Sequence, residues 1–279
     1  MSVLLFTVLV ALGSLLAGFL GSLTGLGGGV VIVPLLALVF HVDMRYAIGA
    51  SLVSVIATSS GAAAAYVREG FSNMRIGMFL EIATTIGALA GAFIATRVAT
   101  STIAIVFGCV LVYSAYLSIR SRPADSVDEK QDRLARVLNL DGDYPASDGQ
   151  VQHYTVHRIP LGFGLMFGAG TLSGLLGIGS GAVKVLAMDQ AMRVPFKVST
   201  TTSNFMIGVT AAASAGVYLA RGYIDPGIAM PVVLGALAGS MLGAKVLVNT
   251  RTKPLRWVFS AVIVVLGFEM IFNGFTGRL

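Results

Sequence analysis

Gly25-Leu26-Gly27-Gly28-Gly29 decides how this chain is read, because it returns 152 positions later as Gly177-Ile178-Gly179-Ser180-Gly181. Each copy stands between a long apolar run and a short one. In hydrocarbon a glycine-rich turn would leave backbone polar groups unsatisfied, so each copy belongs inside protein or against a water-filled cavity. Two such turns in one chain are expected to form the two halves of a single binding site.

The repetition extends well beyond the turns. At the same offset, residues 17–96 align with 169–248 without a gap. The matches include Gly18/Gly170, Val31/Val183, Ser51/Ser203, Thr58/Thr210, Tyr66/Tyr218, Gly70/Gly222, Gly87/Gly239 and Gly91/Gly243. Each half reads as five helices, about 3–23, 29–40, 46–66, 75–97 and 101–119, then 159–175, 181–192, 197–219, 226–247 and 254–273. The second helix of each set is too short to span, since about 12 residues rise only about 18 Å at 1.5 Å each. Its glycine-rich start should therefore lie at depth in a bilayer.

Composition sets the class. Of 279 residues, 56% are hydrophobic and 11% charged, with a mean hydropathy of +0.85. Apolar runs of about 20 residues, the length that crosses about 30 Å of hydrocarbon, recur along the chain. An all-α polytopic membrane protein follows: about ten transmembrane helices in two inverted five-helix repeats, with short broken helices after the glycine turns. The net charge of +6 is spread through short loops, which argues against nucleic acid. The apolar opening segment Met1–Gly18 lacks a basic n-region and has an internal counterpart, so it reads as a retained helix. Cys109, the only cysteine, permits no intrachain disulfide and is expected to be a small packing residue.

Lys and Arg arbitrate topology, because they collect in cytoplasmic loops. With five crossings per half, 14 of them fall on one side and 4 on the other, with Lys184 left inside the membrane. With re-entrant short helices and four crossings per half, the same residues divide 10 against 8. The first count favours inverted halves, both termini outside and a cytoplasmic linker. The division is then residues 1–120, a linker over 121–158, and residues 159–279. Within the linker, Ser126-Val-Asp-Glu129 has capping-box spacing ahead of Leu134, Val137 and Leu138, and Asp141-Gly142-Asp143 should end that helix. His153 and His157 are four apart, but no third ligand is near, so a shared metal is not expected.

Inverted repeats bring equivalent elements together near the midplane. The turns Gly27-Gly28-Gly29 and Gly179-Ser180-Gly181 would each open a short helix whose N–H groups and positive dipole end favour an anion. Lys184, three residues after Gly181, is an ammonium in an apolar run and needs an anion or a carboxylate nearby. Two readings stay open: it contacts substrate, or it reaches Asp189. Ser51 in one half, and Ser203 with Asn204 in the other, offer neutral hydroxyl and amide groups for oxyanion oxygens. The alternative for each is bonding back to a helix. Glu81 is a candidate for coupling, as is Asp189, although Glu81 could instead pair with a loop arginine. Gly87-xxx-Gly91 and Gly239-xxx-Gly243 have the spacing of close helix packing.

The stretch Gly25-Leu-Gly-Gly-Gly-Val-Val-Ile-Val-Pro34, followed by Ala47-Ile-Gly-Ala-Ser51 and a weaker second copy, resembles the TauE/SafE sulfite exporter family of bacterial membrane proteins. The second copy departs from the first at Ser180 and Leu186. The resemblance implies a transporter of sulfur-containing anions such as sulfite or organosulfonates, exporting them across the plasma membrane. Alternating exposure of the midplane site to a small anionic substrate is the expected mechanism, with no cofactor and no catalytic residue expected. An anion channel on the same helix ends is the alternative. An intramembrane enzyme is disfavoured, since no histidine lies in an apolar run and no paired-Asp motif is present. Small-residue faces leave room for a homodimer.

Overall fold

A computed structural model describes residues 3–24, 28–68, 72–119, 132–145, 151–249 and 252–277. The first half supplies α1 (Val3–Thr24), α2 (Gly29–Pro34), α3 (Met44–Arg68), α4 (Met74–Ala95) and α5 (Thr100–Ile119). The second supplies α7 (Ile159–Leu176), α8 (Gly181–Leu186), α9 (Phe196–Ala220), α10 (Pro226–Asn249) and α11 (Thr252–Thr276). A wide π turn extends each short helix, over Leu35–Val39 after α2 and Ala187–Ala191 after α8. The short helices, the π turns and the pair α3/α9 begin and end 152 residues apart. Even the exits match: His41 and Arg193 both take left-handed backbone, at φ 52° and 56°.

Packing repeats reciprocally. α1 lies along α10, and its counterpart α7 lies along α4; α3 meets α9, and α5 meets α11. Glycine permits the close approach at two of these seams. A Cβ on Gly239 would stand 2.0 Å from the Leu15 carbonyl oxygen, and one on Gly87 2.2 Å from that of Phe167, the equivalent residue. These are the glycines of the small-xxx-small pairs, so the expected packing role is the observed one.

The outer surface explains the hydropathy. On α4, Met78, Ile82, Ile86, Leu89 and Phe93 are all exposed, and their spacing puts them on one face. Met230, Leu234 and Met241 repeat that face on α10. Contiguous apolar stripes of this kind are foreign to a water-facing surface and native to a lipid-facing one. Among the described residues, five helices, within 4–21, 74–95, 159–176, 196–220 and 226–243, are long and apolar enough to cross a membrane, and shorter apolar helices accompany them.

Three expectations need correction. The linker is not helix and loop alone. Gly142–Pro145 (β1) pairs antiparallel with Val151–Tyr154 (β2), so the chain carries a small two-stranded ribbon. The helix before it, α6 (Arg133–Val137), ends short of Asp141 and starts on Asp132, whose carboxylate accepts from Leu134 N at 3.1 Å. The proposed box at Ser126–Glu129 lies outside the described residues. Cys109 is exposed on α5 rather than packed, because the face of α5 turned to α11 is the one carrying Gly108.

The linker docks on the bundle. Asn73, the N-cap of α4, donates through Nδ2 to the Leu140 carbonyl at 3.0 Å and to the Tyr154 hydroxyl at 2.7 Å. His157 N donates to the Met192 carbonyl at 3.0 Å. Ala135, Leu140, Tyr154 and Val156 join Leu80, Met188 and Met206 in one apolar cluster.

Candidate functional site

The site is built where the turn before α8 meets α2 and α3. Gly177 and Gly179 take φ of +70° and +72°, a region that glycine enters without steric penalty. Ser180 follows at φ 47°, in the left-handed region despite its side chain. This run of left-handed residues turns the chain sharply from α7 into α8. Gly28 and Gly29 are buried at the start of α2, whereas Gly25, Leu26 and Gly27 lie outside the described residues.

The two turns touch. Ser51 of α3 donates its hydroxyl to the Gly177 carbonyl at 2.8 Å. A Cβ on Gly29 would lie 3.0 Å from that same carbonyl oxygen and 2.8 Å from Ser51 Oγ. In the other half, Ser203 donates to the Gly181 carbonyl at 3.3 Å. Ser51 and Ser203 therefore spend their hydrogens on the turns in this conformation. Asn204, next to Ser203, is half-buried on α9.

A narrow cleft opens between these elements, lined by Val30, Ser114, Leu172, Ile178 and Ser180 among others. Ser180 is 3% exposed, and its hydroxyl has no hydrogen-bond partner among the described residues. A buried hydroxyl left unpaired costs about 1–3 kcal/mol, so this group favours a polar partner at the cleft.

Lys184 is completely buried. Its ammonium donates to Thr210 Oγ1 of α9 at 2.5 Å, and that hydroxyl lies 2.6 Å from Glu81 Oε1 of α4. Thr210 can also donate to the Met206 carbonyl at 2.8 Å, and Thr85 donates to Glu81 Oε1 at 3.2 Å. Glu81 Oε2 is buried with no hydrogen-bond partner among the described residues. The carboxylate that the fold brings to Lys184 is thus Glu81, through a shared hydroxyl. Asp189 sits half-buried in the π turn after α8. Reading residues one at a time missed Thr210, whose only signal was its match to Thr58 in the repeat.

The linker histidines do not converge. His153 Nδ1 pairs with Asp143 Oδ1 at 2.7 Å across the ribbon, and His157 Nε2 lies 3.0 Å from Thr155 Oγ1. Among the described residues no three His, Cys, Asp or Glu side chains come together as a metal site would need.

Comparison with known proteins places the chain. It is 29% identical over 280 residues to the probable membrane transporter protein YunE of Bacillus subtilis, covering 96% of this chain and 98% of that one. It is 27% identical over 239 residues to YdhB of the same organism, again a probable membrane transporter protein, covering 85% and 89%. A probable membrane transporter protein of Methanocaldococcus jannaschii is 24% identical over 283 residues, with 96% of each chain covered. No solved structure matches. The family model for the sulfite exporter TauE/SafE matches residues 10–270, nearly the whole chain, and with the paired glycine turns in place the protein belongs to the TauE/SafE family.

Proposed function

We propose that this chain is a secondary transporter that exports small sulfur-containing oxyanions, sulfite or organosulfonates such as sulfoacetate, across a bacterial plasma membrane by alternating access. Family membership supports membrane transport over catalysis. The observation that carries the reading is the meeting of the two turns, with Gly29 against the Gly177 carbonyl and the unpaired Ser180 hydroxyl beside them. The substrate would occupy the junction of Gly27–Gly29 and Gly179–Gly181, with Ser180 and Lys184 as donors. Ser51, Ser203 and Asn204 would contribute when the turns part, because separation releases the hydroxyls from the Gly177 and Gly181 carbonyls.

Ten crossings in two inverted halves fit the way the ends of the bundle are assembled. The linker touches both Asn73, before α4, and Met192, after α8. At another end, Arg45 donates to the Val98 carbonyl at 3.1 Å, and its guanidinium lies 5.6 Å from the Tyr223 ring centre. Five crossings per half put the first set on one side of a membrane and the second set on the other. Four per half would separate the members of each set.

The experiment is a thermal-shift screen of purified protein against sulfite, sulfate, thiosulfate, taurine and sulfoacetate, followed by flux of any stabilising anion in proteoliposomes. A ligand of the native state at 100 times its Kd adds about 2.7 kcal/mol, which a melting curve resolves. Expected is stabilisation by at least one sulfur oxyanion, with Lys184→Met weakening both binding and flux. A flat response to all five overturns the substrate class. Single-channel currents in place of saturable turnover would make the same junction an anion channel.

A further inference from the structure

We propose that Glu81, Thr210 and Lys184 form a proton-linked switch: a bound oxyanion takes the Lys184 ammonium from Glu81, and the displaced carboxylate binds a proton. This rests on the anion-transport reading and adds its coupling.

The fold does not require this pair. The positions 152 residues away are Ile32, Thr58 and Val233. Thr58 keeps its hydroxyl on its own helix, donating to the Ser54 carbonyl at 3.0 Å, and the other two side chains are apolar, so the equivalent set of positions carries no charge. A buried ion pair is commonly no more stabilising than apolar residues of similar volume, which makes a pair kept in one half only a poor packing device. The pair is also incompletely satisfied. Glu81 Oε1 accepts from Thr210 and Thr85, but Oε2 is buried with no partner among the described residues. That oxygen is where a proton would sit.

Competition supplies the coupling. One buried ammonium can neutralise one anion nearby; a second carboxylate left charged in the same low-dielectric pocket is costly. When an oxyanion engages Lys184, the least costly fate for Glu81 is protonation. The step is Glu–COO⁻ plus a solvent proton giving Glu–COOH; an O–H bond forms, Lys184 keeps its three hydrogens, and no electron moves. The described elements packed around the bridge carry these other titratable groups. α7 carries none between Ile159 and Leu176, and α9 carries Lys197, exposed at its start, and Tyr218, whose hydroxyl donates to the Gly174 carbonyl at 3.2 Å. Along α4, Arg75 is exposed and turned to the Asn139 carbonyl. Asp189 stands half-buried in the π turn after α8, and in the linker Tyr154 bonds Asn73 and His157 bonds Thr155.

Calorimetric titration of the purified full-length protein with sulfoacetate, in buffers of different ionisation enthalpy, tests this, with Glu81→Gln as the reference because the ligand's own carboxylate can also take up a proton. Expected is uptake of about one proton per bound anion, with affinity falling roughly tenfold per pH unit once Glu81 is ionised in the free protein. Glu81→Gln should bind with affinity independent of pH and no proton uptake. Glu81→Asp, which keeps the carboxyl, should retain the pH slope and so separates titration from packing if the Gln variant folds poorly. Sulfoacetate binding to the unaltered protein without proton uptake, or equal uptake by Glu81→Gln, overturns the switch while leaving anion binding in place. Absence of binding by sulfoacetate and by the other sulfur anions overturns the anion reading and the switch with it.

Discussion

Thr210 holds two opposite charges to one oxygen, and its loss is the sharpest single-residue test. Thr210→Val keeps the shape and removes the hydroxyl, leaving Lys184 Nζ and Glu81 Oε1 without their shared partner. Glu81 Oε1 keeps Thr85, but the Lys184 ammonium is orphaned, and an unsatisfied buried group costs about 1–3 kcal/mol. A clear fall in melting temperature is expected in detergent, and Thr210→Ser should restore it; wild-type melting of the Val variant would mean that the bridge carries no stability. Lys184 and Glu81 stood out in the sequence singly, since an ionisable residue in an apolar run is costly wherever it lies. Their pairing did not, because 103 residues separate them and they meet only through the packing of both α4 and α8 on α9. Asp189 was the nearer carboxylate along the chain. Asp189 instead lies on the π turn that follows α8, half-buried, while the Lys184 ammonium bonds Thr210.

Among the elements, the glycine seams give a contrast that sequence spacing could not. Gly239→Ala would drive a Cβ into the Leu15 carbonyl, whereas a Cβ on Gly168 meets nothing within 4 Å. Overpacking of the first kind costs about 1–3 kcal/mol, while relief of glycine's helix penalty at the second favours Ala by up to about 1 kcal/mol. Melting curves of the two variants should therefore move in opposite directions. Repeat spacing revealed which glycines matter, but not which carbonyl faces each. The β ribbon escaped notice for a different reason. Gly142–Pro145 and Val151–Tyr154 are four residues each, too short for alternation to register. Its docking is testable through Tyr154, whose phenol burial pushes above the ordinary value. The folded state holds that proton more tightly than the unfolded chain, so linker docking is complete below about pH 10 and weakens as pH rises past the shifted value. Tyr154→Phe removes the bond to Asn73, should cost about 1 kcal/mol, and should abolish that alkaline step in protease protection of the linker.

At the scale of the whole molecule, the two ends of the bundle support the crossing count that charge ranks first. Lysine and arginine tallies preferred five crossings per half because 14 fell on one side against 4 on the other. Contacts add an independent constraint: loop 3–4 and the exit of α8 share the linker, while Arg45, Val98 and Tyr223 share another surface. Under five crossings the linker and the end of α11 lie on opposite sides of the membrane; under four they lie on the same side. The lone cysteine makes this easy to measure, since Cys109 is exposed and its replacement by Ser removes no packing contact of the core. In that background, Thr276→Cys at the end of α11 should react with a membrane-impermeant maleimide in intact cells. Val151→Cys on β2, a position 73% exposed, should react only after the membrane is opened. Reaction of both in intact cells, or of neither, would place the two on one side, and the glycine turns would then no longer be related by an inverted repeat. The anion site would lose its symmetry argument and rest on Lys184 and Ser180 alone.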